Sequence, residues 1–523
     1  MAQACAWSVA LAGLDGRIVE VEADIGSGLP RTVLVGLADT ALYEARDRCK
    51  AAVGNSGHTW PASLLTINLS PATLPKTGSH YDLAIVAAVL AAAEVIPRFE
   101  LTRTVLLGEL GLDGRVRPVR GILPAVLAAE QAGFTRVIVP IRQAGEAQLV
   151  DGLDVLGVAS LGQLVALLRG DPVPDVEPIE VADAGVEAPA GRSLDLTDVV
   201  GQVEAKWAVE VAAAGRHHLM FSGPPGVGKT MVAERIPGLL PDLTLAEALE
   251  VSAVHSLAGF HLADGLITRP PYSDPHHSAS LASIVGGGQR VAKPGAISCA
   301  HRGVLFLDEA PEFPTKVIDS LRTPLESGTI TLGRSEVQAR YPARFQLVMA
   351  ANPCPCGQAA TRGAHCSCPP LAVRRYGERI SGPVKDRIDI SCVFLPMRKA
   401  YLKAALQRTE SSAMVAVRVA EARDRQQHRL HGTGWQSNGE VPGPYLRKQL
   451  PLPDGLQVVE AAVYRGKLSP RGVDKVLRVA WTLADLAQRP KPGPDEVAVA
   501  LAMRRGEQLE GAAPQPGTMG EAG

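Results

Sequence analysis

An α/β chain of several domains is expected from three features of the 523 residues. Short β-like runs alternate with Ala-rich helical runs ahead of residue 171, a Gly-rich turn joins an apolar strand to a helix near residue 223, and the pattern from about residue 396 is mainly helical. With 46% hydrophobic residues the chain can bury more than one core, because single cores stop growing near roughly 250–300 residues.

Taken in order, residues 1–170 carry the β-like runs "TVLVGLA", "LLTINL", "TVLLGEL", "RVIVP" and "DVLGVA", alternating with helical runs at Ala41–Val53, Tyr81–Ala93 and Leu123–Gly133. That pattern is an α/β or α+β domain. Residues 171–194 are rich in Pro, acidic and small residues, show no apolar period and read as a linker. Residues 195–395 hold the strand "HLMFSG" with its Gly-rich turn, then the buried strands "GVLFLDEA" and "FQLVMAANP". Residues 396–507 form a helical region interrupted by the polar "RLHGTGWQSNGEVPGPY", and residues 508–523 have the character of a disordered tail.

Lys+Arg 53 against Asp+Glu 54 leaves a net charge of -1, so any nucleic-acid contact has to be local. The longest apolar stretch, Leu83–Ala93, falls short of the ~20 residues of a membrane span, and the N-terminus lacks a basic segment before its apolar run. A cytoplasmic protein without a membrane partner is expected. Cys5, Cys49, Cys299 and Cys392 are scattered and read as core thiols.

"GPPGVGKT" fits G-x-x-x-x-G-K-T and lies between strand and helix, where that motif works. Gly223, Pro224, Pro225, Gly226, Val227 and Gly228 would turn backbone N–H groups around a β-phosphate. Lys229 would reach the β/γ oxygens, and Thr230 would bind Mg²⁺. "VLFLDEA" ends a buried strand in two acids. Asp308 would orient the metal and Glu309 would polarise the attacking water. Asn352, ending the next strand, is placed to hold that water or the γ-phosphate. Phosphoryl transfer also needs positive charge on the developing γ-phosphate, and Arg387 and Arg471 are the candidates. Cys354, Cys356, Cys366 and Cys368 form C-x-C-x9-C-x-C, which reads as structural zinc with His365 as a substitute ligand; an iron–sulfur cluster or a redox pair are the alternatives.

The order of motifs resembles the magnesium-chelatase-like AAA+ ATPases of the YifB/ComM type over nearly the whole chain. It does so through "DVVGQVEAKWAVEVAAAGRHHLMFSGPPGVGKT", "PHHSASLASIVGGG", "KPGAISCAHRGVLFLDEAPEF", "SLRTPLESGTITLGR", "YPARFQLVMAANPCPCG", "DRIDI" and "LSPRGVDKVLRVAWTLADLA". The resemblance implies an AAA+ P-loop core with a parallel sheet, a C-terminal helical lid, and Asn352 as sensor 1. It also implies Arg387 as arginine finger and Arg471 as sensor 2, so that the ATP site is completed only in a homo-hexamer. Members are described as DNA motors driving branch migration in recombination during natural transformation. Two pore hairpins would fall around "HHSASLASIVGGGQRVAKPG" and "TITLGRSEVQARYPARF", with Arg334, Arg340 and Arg290 as sequence-independent phosphate contacts. A chelatase-type motor remodelling a protein partner is the alternative.

Two departures stand out: Ser273 replaces the arginine usual before "APHH", and Trp481 replaces the arginine of "VARTIADL". Residues 1–170 resemble a Lon-protease-like, ribosomal S5 domain 2-like α+β domain. Aligning "PKTGSHYD" on Lon's nucleophile stretch places His80 at the serine position and Ser79 one place off, and the helix after the Gly turn has no lysine base. No proteolysis is expected.

Overall fold

The computed structural model describes residues 2–36, 40–74, 76, 78–176, 194–262, 264–288, 292–333, 338–359, 365–396 and 410–508. Arg290 and Arg334, most of the linker and nearly all of the tail lie outside them.

The front domain is a mixed seven-stranded sheet in the order Arg31–Val35, Leu64–Ser70, Asp15–Gly26, Ala2–Ala12, Thr104–Leu106, Arg136–Pro140, Asp154–Val158. Its centre is the antiparallel hairpin Ala2–Ala12/Asp15–Gly26, two strands not among the expected β-like runs. The inward face of the first strand is Ala4, Ala6, Ser8 and Ala10, all buried. Such small residues let the helix Asp82–Ala92 settle close, and every residue of that helix is buried. An evenly apolar helix is the expected filling for such a site. Its one charge, Asp82, receives Arg48 at 3.1 and 3.2 Å and the Leu110 amide at 3.1 Å, which satisfies the buried carboxylate.

The second domain carries a five-stranded parallel sheet, ordered Tyr272–Ser273, Val304–Leu307, Gln346–Ala351, Leu219–Ser222, Ile390–Val393. The central strands read "VLFL" and "QLVMAA" and are buried throughout, as strands covered on both faces must be. This mixed α/β architecture fits an AAA+-like domain. Strand order puts the Leu219–Ser222 end, and the loop leaving it, beside the end of Gln346–Ala351 and one strand away from that of Val304–Leu307.

Helices Ser412–Arg429, Pro470–Leu486 and Pro494–Arg505 follow, the first two N-capped by Ser411 and Ser469 hydroxyls accepting from the amides of Met414 (3.3 Å) and Gly472 (3.1 Å). The polar stretch that interrupts this helical region is part of a small core. Leu430, Val441, Leu446, Leu450, Leu477 and Trp481 are buried together, with Trp435 and Tyr445 packed against them. Trp481 is 1% exposed, under the Arg429 guanidinium at 4.4 Å. The position where the resemblance implies an arginine is thus filled by a core aromatic.

The two domains are packed together. Val9, Ile122, Leu123 and Val126 share one apolar cluster with Ala253 and Leu262, and Ser256 donates to the buried Glu146 carboxylate at 2.5 Å. Among the scattered cysteines, Cys49 and Cys392 are buried as expected. Cys5 and Cys299 are only partly buried, Cys5 because it lies on the sheet's outer face beside Glu20 and Glu22. No helix among the described residues is long and apolar enough to cross a membrane.

Candidate active site

The loop after Leu219–Ser222 turns through left-handed backbone at Gly226 (φ +78°) and Gly228 (φ +93°), conformations that favour glycine. With them it frames a pocket of 310 Å³ lined by Pro225, Lys229, Thr230, Met231, Asp308, Glu309, Ala350, Ala351 and Asn352. Six of the expected positions, Pro225, Gly226, Gly228, Lys229, Thr230 and Asn352, thus meet both acids of the "VLFLDEA" strand in one cavity. Gly223 sits at its back, where a Cβ would meet the Phe394 carbonyl oxygen at 2.7 Å.

Lys229 donates to the Gly223 and Pro224 carbonyls at 2.7 and 2.9 Å and to Asn352 Oδ1 at 3.0 Å. Burial pushes its pKa below the ordinary lysine value, while Asp308 and Glu309 pull it back. The Thr230 hydroxyl donates to Asp308 Oδ2 at 2.7 Å, so two hard oxygen donors converge as a Mg²⁺ site requires. Asp308 Oδ1 in turn accepts the Glu309 amide at 2.9 Å. Glu309 itself has φ +49°, a left-handed conformation unusual for a residue with a Cβ.

Sequence reasoning missed a neighbour of Glu309. His277 Nδ1 lies 3.6 Å from Glu309 Oε2, and its ring meets Phe313 edge-on. "PHHSASL" held the signal, but nothing in spacing said that the second histidine faces the acid.

Arg387 and Arg471 are not in this pocket. Arg387 pairs with Glu326 and donates to the Pro383 carbonyl at 2.6 Å, and Arg471 lies 3.9 Å from Asp386 with most of its side chain exposed. The structure brings the two arginines near each other, at Asp386 and its neighbour, and not to Lys229.

Arg340 is on an antiparallel hairpin, Thr329–Gly333 with Gln338–Pro342, opposite Thr331. The stretch around "HHSASLASIVGGG" forms a Ser280-capped turn of helix, Leu281–Val285, and a second small hairpin, Gly286–Gly287 with Lys293–Pro294. The Tyr341 hydroxyl donates to the Ala292 carbonyl at 2.5 Å and ties one hairpin to the other. Ser273 is in the edge strand paired with Leu305.

Cys354, Cys356, Cys366 and Cys368 place their four sulfurs within 4.8 Å of one another. His365 is exposed and outside that set. In the front domain, Ser79 donates to Glu109, the buried Lys76 donates to the carbonyls of Gly36 (3.2 Å) and Pro71, and His80 Nε2 meets the Val9 carbonyl at 2.9 Å. Ser79, Lys76 and His80 thus each have a partner within the front domain, and none is bonded to another of the three.

Family models cover three stretches: "Magnesium chelatase, subunit ChlI" over residues 195–401, "Subunit ChlI of Mg-chelatase" over 21–143, and "Magnesium chelatase, subunit ChlI C-terminal" over 409–504. Competence protein ComM of Haemophilus influenzae is 39% identical over 487 residues, 93% of this chain and 94% of its own length. The chain belongs to the YifB/ComM-type magnesium-chelatase-like family. The YifB protein of Escherichia coli K12 is 42% identical over 480 residues, covering 91% of this chain and 92% of YifB. A Mycobacterium tuberculosis H37Rv protein is 55% identical over 507 residues, covering 97% and 99%. The magnesium-chelatase 38 kDa subunit of Rhodobacter capsulatus matches over 171 residues at 29%, 30% of this chain and 49% of its own. Family membership agrees with the pocket: a magnesium-chelatase-like AAA+ protein is expected to hold ATP and Mg²⁺ where Lys229, Thr230 and Asp308 converge.

Proposed function

We propose that the chain is a ring-forming, Mg-ATP-hydrolysing motor that moves on DNA, with a branch-migration activity in recombination of incoming DNA. The observation that carries the hydrolytic part is the single pocket holding Lys229, Thr230, Asp308, Glu309 and Asn352. Thr230 and Asp308 would hold Mg²⁺ in that pocket, where the ion would supply charge neutralisation for the phosphates. Lys229 exchanges its carbonyl partners for phosphate oxygens. Glu309 accepts the proton of the attacking water, and Asn352 Oδ1 or its amide orients that water.

Support for the DNA part is the pair of joined hairpins, one bearing Arg340, together with near full-length similarity to a protein named for competence. Phosphate contact by exposed arginine gives binding that is independent of sequence and weakened by salt. Arg387 stands outside its own chain's pocket, so we assign it to the pocket of a neighbouring subunit. Arg471 is assigned the same interface. Proteolysis is no part of this reading, because Ser79, Lys76 and His80 are engaged elsewhere.

The deciding experiment compares ATP turnover with and without forked or four-way DNA, beside a strand-exchange assay. Turnover stimulated by branched DNA, and strand movement lost in Lys229→Ala, is the expected result. Turnover indifferent to every DNA tested sinks the DNA assignment and leaves a chelatase-type motor acting on a protein partner.

A further inference from the structure

The thiols of "NPCPCGQAATRGAHCSCPP" come together although the two pairs are ten residues apart in sequence. Cys354 Sγ is 3.3 Å from Cys356 Sγ and 3.8 Å from Cys366 Sγ, and Cys356 Sγ is 3.6 Å from Cys366 Sγ. A tetrahedral ion with Zn–S bonds of about 2.3 Å sets its sulfur–sulfur edges near 3.8 Å. A disulfide would need sulfurs at about 2.05 Å, and all four thiols are free. An iron–sulfur cluster interposes several irons and bridging sulfides and spreads its thiolates wider than this. Four soft donors with no open coordination position fit one structural Zn²⁺.

The clip is built onto the phosphate loop. Asn352, two residues before Cys354, accepts from Lys229 at 3.0 Å, and the Ala351 carbonyl accepts the Gly223 amide at 3.2 Å. Three residues beyond Cys354, the turn closed by the Gly357 amide on the Cys354 carbonyl (2.9 Å) returns the chain to Pro225. Gly357 has φ +77°, and a Cβ there would lie 2.5 Å from Pro225 Cδ and 3.0 Å from Cγ. Only a bare α-carbon fits that approach. The phosphate loop is therefore gripped at two points by the segment the four cysteines hold: Lys229 by Asn352 and Pro225 by Gly357.

We propose that Cys354, Cys356, Cys366 and Cys368 bind one Zn²⁺, and that this ion holds the Cys354–Gly357 turn against Pro225 and so sets the affinity of the chain for nucleotide. The inference rests on the ATP-binding reading above and adds a second metal with no part in the chemistry. With the ion removed, four neighbouring thiols retain nothing to hold them together, the turn relaxes, and the phosphate loop loses one wall.

The test measures zinc per chain by elemental analysis and the dissociation constant of a fluorescent ATP analogue on the full-length protein. It does so before chelation, after chelation and after refilling with Zn²⁺. One zinc per chain is expected, with nucleotide binding weakened by about tenfold on stripping, within the usual range for coupled sites, and restored on refilling. Gly357→Ala tests the contact apart from the ligands: it should keep its zinc and bind the analogue more weakly than wild type. A purified chain without zinc, or a stripped chain that binds nucleotide as tightly as the loaded one, overturns the proposal. A zinc-loaded chain that binds no nucleotide at any concentration overturns the coupling and, separately, the ATP reading, because the zinc content is measured independently.

Discussion

Glu309 is the residue whose setting is most restrictive. Its left-handed backbone, its amide bound to Asp308 and its carboxylate facing His277 leave the side chain free to meet water on the pocket side. Glu309→Gln keeps shape and loses basicity. It should therefore bind nucleotide normally while turnover falls by about 10²–10⁴-fold, the usual contribution of a positioned base. Unreduced turnover in that variant would remove Glu309 from the chemistry. Buried imidazoles give a second expectation. Burial pushes His80, His217 and His218 down to about 4. Unfolded chains take up protons on these rings near pH 6.5 and the folded chain does not until about pH 4, so stability falls as pH drops across that window. Burial lowers His255 and His301 in the same sense, while Asp82, raised to about 6 by burial, and Glu146, also raised by burial, work in the opposite sense, two groups against five. Lysine-paired Asp389 is held below the ordinary aspartate range by Lys475 and loses its contribution only at lower pH. Thermal unfolding followed at several values between pH 7.5 and 4.5 should show a midpoint dropping by roughly several degrees. A midpoint that stays level over that range contradicts the assignment of neutral buried rings.

Among the elements, the hairpin Thr329–Gly333/Gln338–Pro342 has the most informative base. Alternation along Gln338–Pro342 turns Ala339 and Tyr341 inward, beside Leu257, Leu11, Leu14, Leu332 and Ala292, and leaves Arg340 facing out. The turn of the front domain's own hairpin reaches it directly: Gly13 bridges Arg340, and a Cβ at Gly13 would meet the Arg340 carbonyl oxygen at 2.4 Å. The front domain thus seats the element proposed to touch DNA. Gly13→Ala forces that contact apart, since it adds a clash and a left-handed strain at once, worth about 1–3 kcal/mol. Amide exchange in Gln338–Pro342 should accelerate in the variant while the Leu219–Ser222 strand keeps its protection. Uniform exchange in both would show that the contact is incidental. The hairpin Thr329–Gly333/Gln338–Pro342 is expected through the family resemblance and not from residue pattern. Residue pattern hides the front domain's hairpin, because Ala-rich "ACAWSVALA" has low strand propensity and is a strand only through the helix Asp82–Ala92 that its small residues admit. The same division holds in the site. Lys229, Thr230, Asp308, Glu309 and Asn352 stand in motifs whose spacing is local, whereas the contacts His277–Glu309 and Gly357–Pro225 join segments 32 and 132 residues apart, and only the folded sheet brings them together.

For the whole molecule, the decisive geometry is an absence from the pocket. Phosphoryl transfer needs a cation on the developing charge, and among the described residues lining the cavity Lys229 is the one cation. Arg387 is held outside the pocket lining by Glu326 and the Pro383 carbonyl, with its neighbour Asp386 facing Arg471 and Arg504. Heterologous contacts between copies, closed into a ring, would present this arginine patch of one subunit to the pocket of the next. Arg387→Ala and Glu309→Gln chains then fail for different reasons: the first lacks the arginine it lends, the second the acid it uses. Mixed in equal amounts and allowed to reassemble, they should form some interfaces where an intact pocket receives an intact arginine. Random mixing makes these about a quarter of the total, so turnover should recover to roughly a quarter of wild type from two inactive parents. An arginine acting within its own chain predicts no recovery at any ratio. An assembly in which Arg387 is merely structural predicts that Arg387→Ala retains turnover before mixing begins. The mixture therefore distinguishes a site completed between subunits from one complete in a single chain.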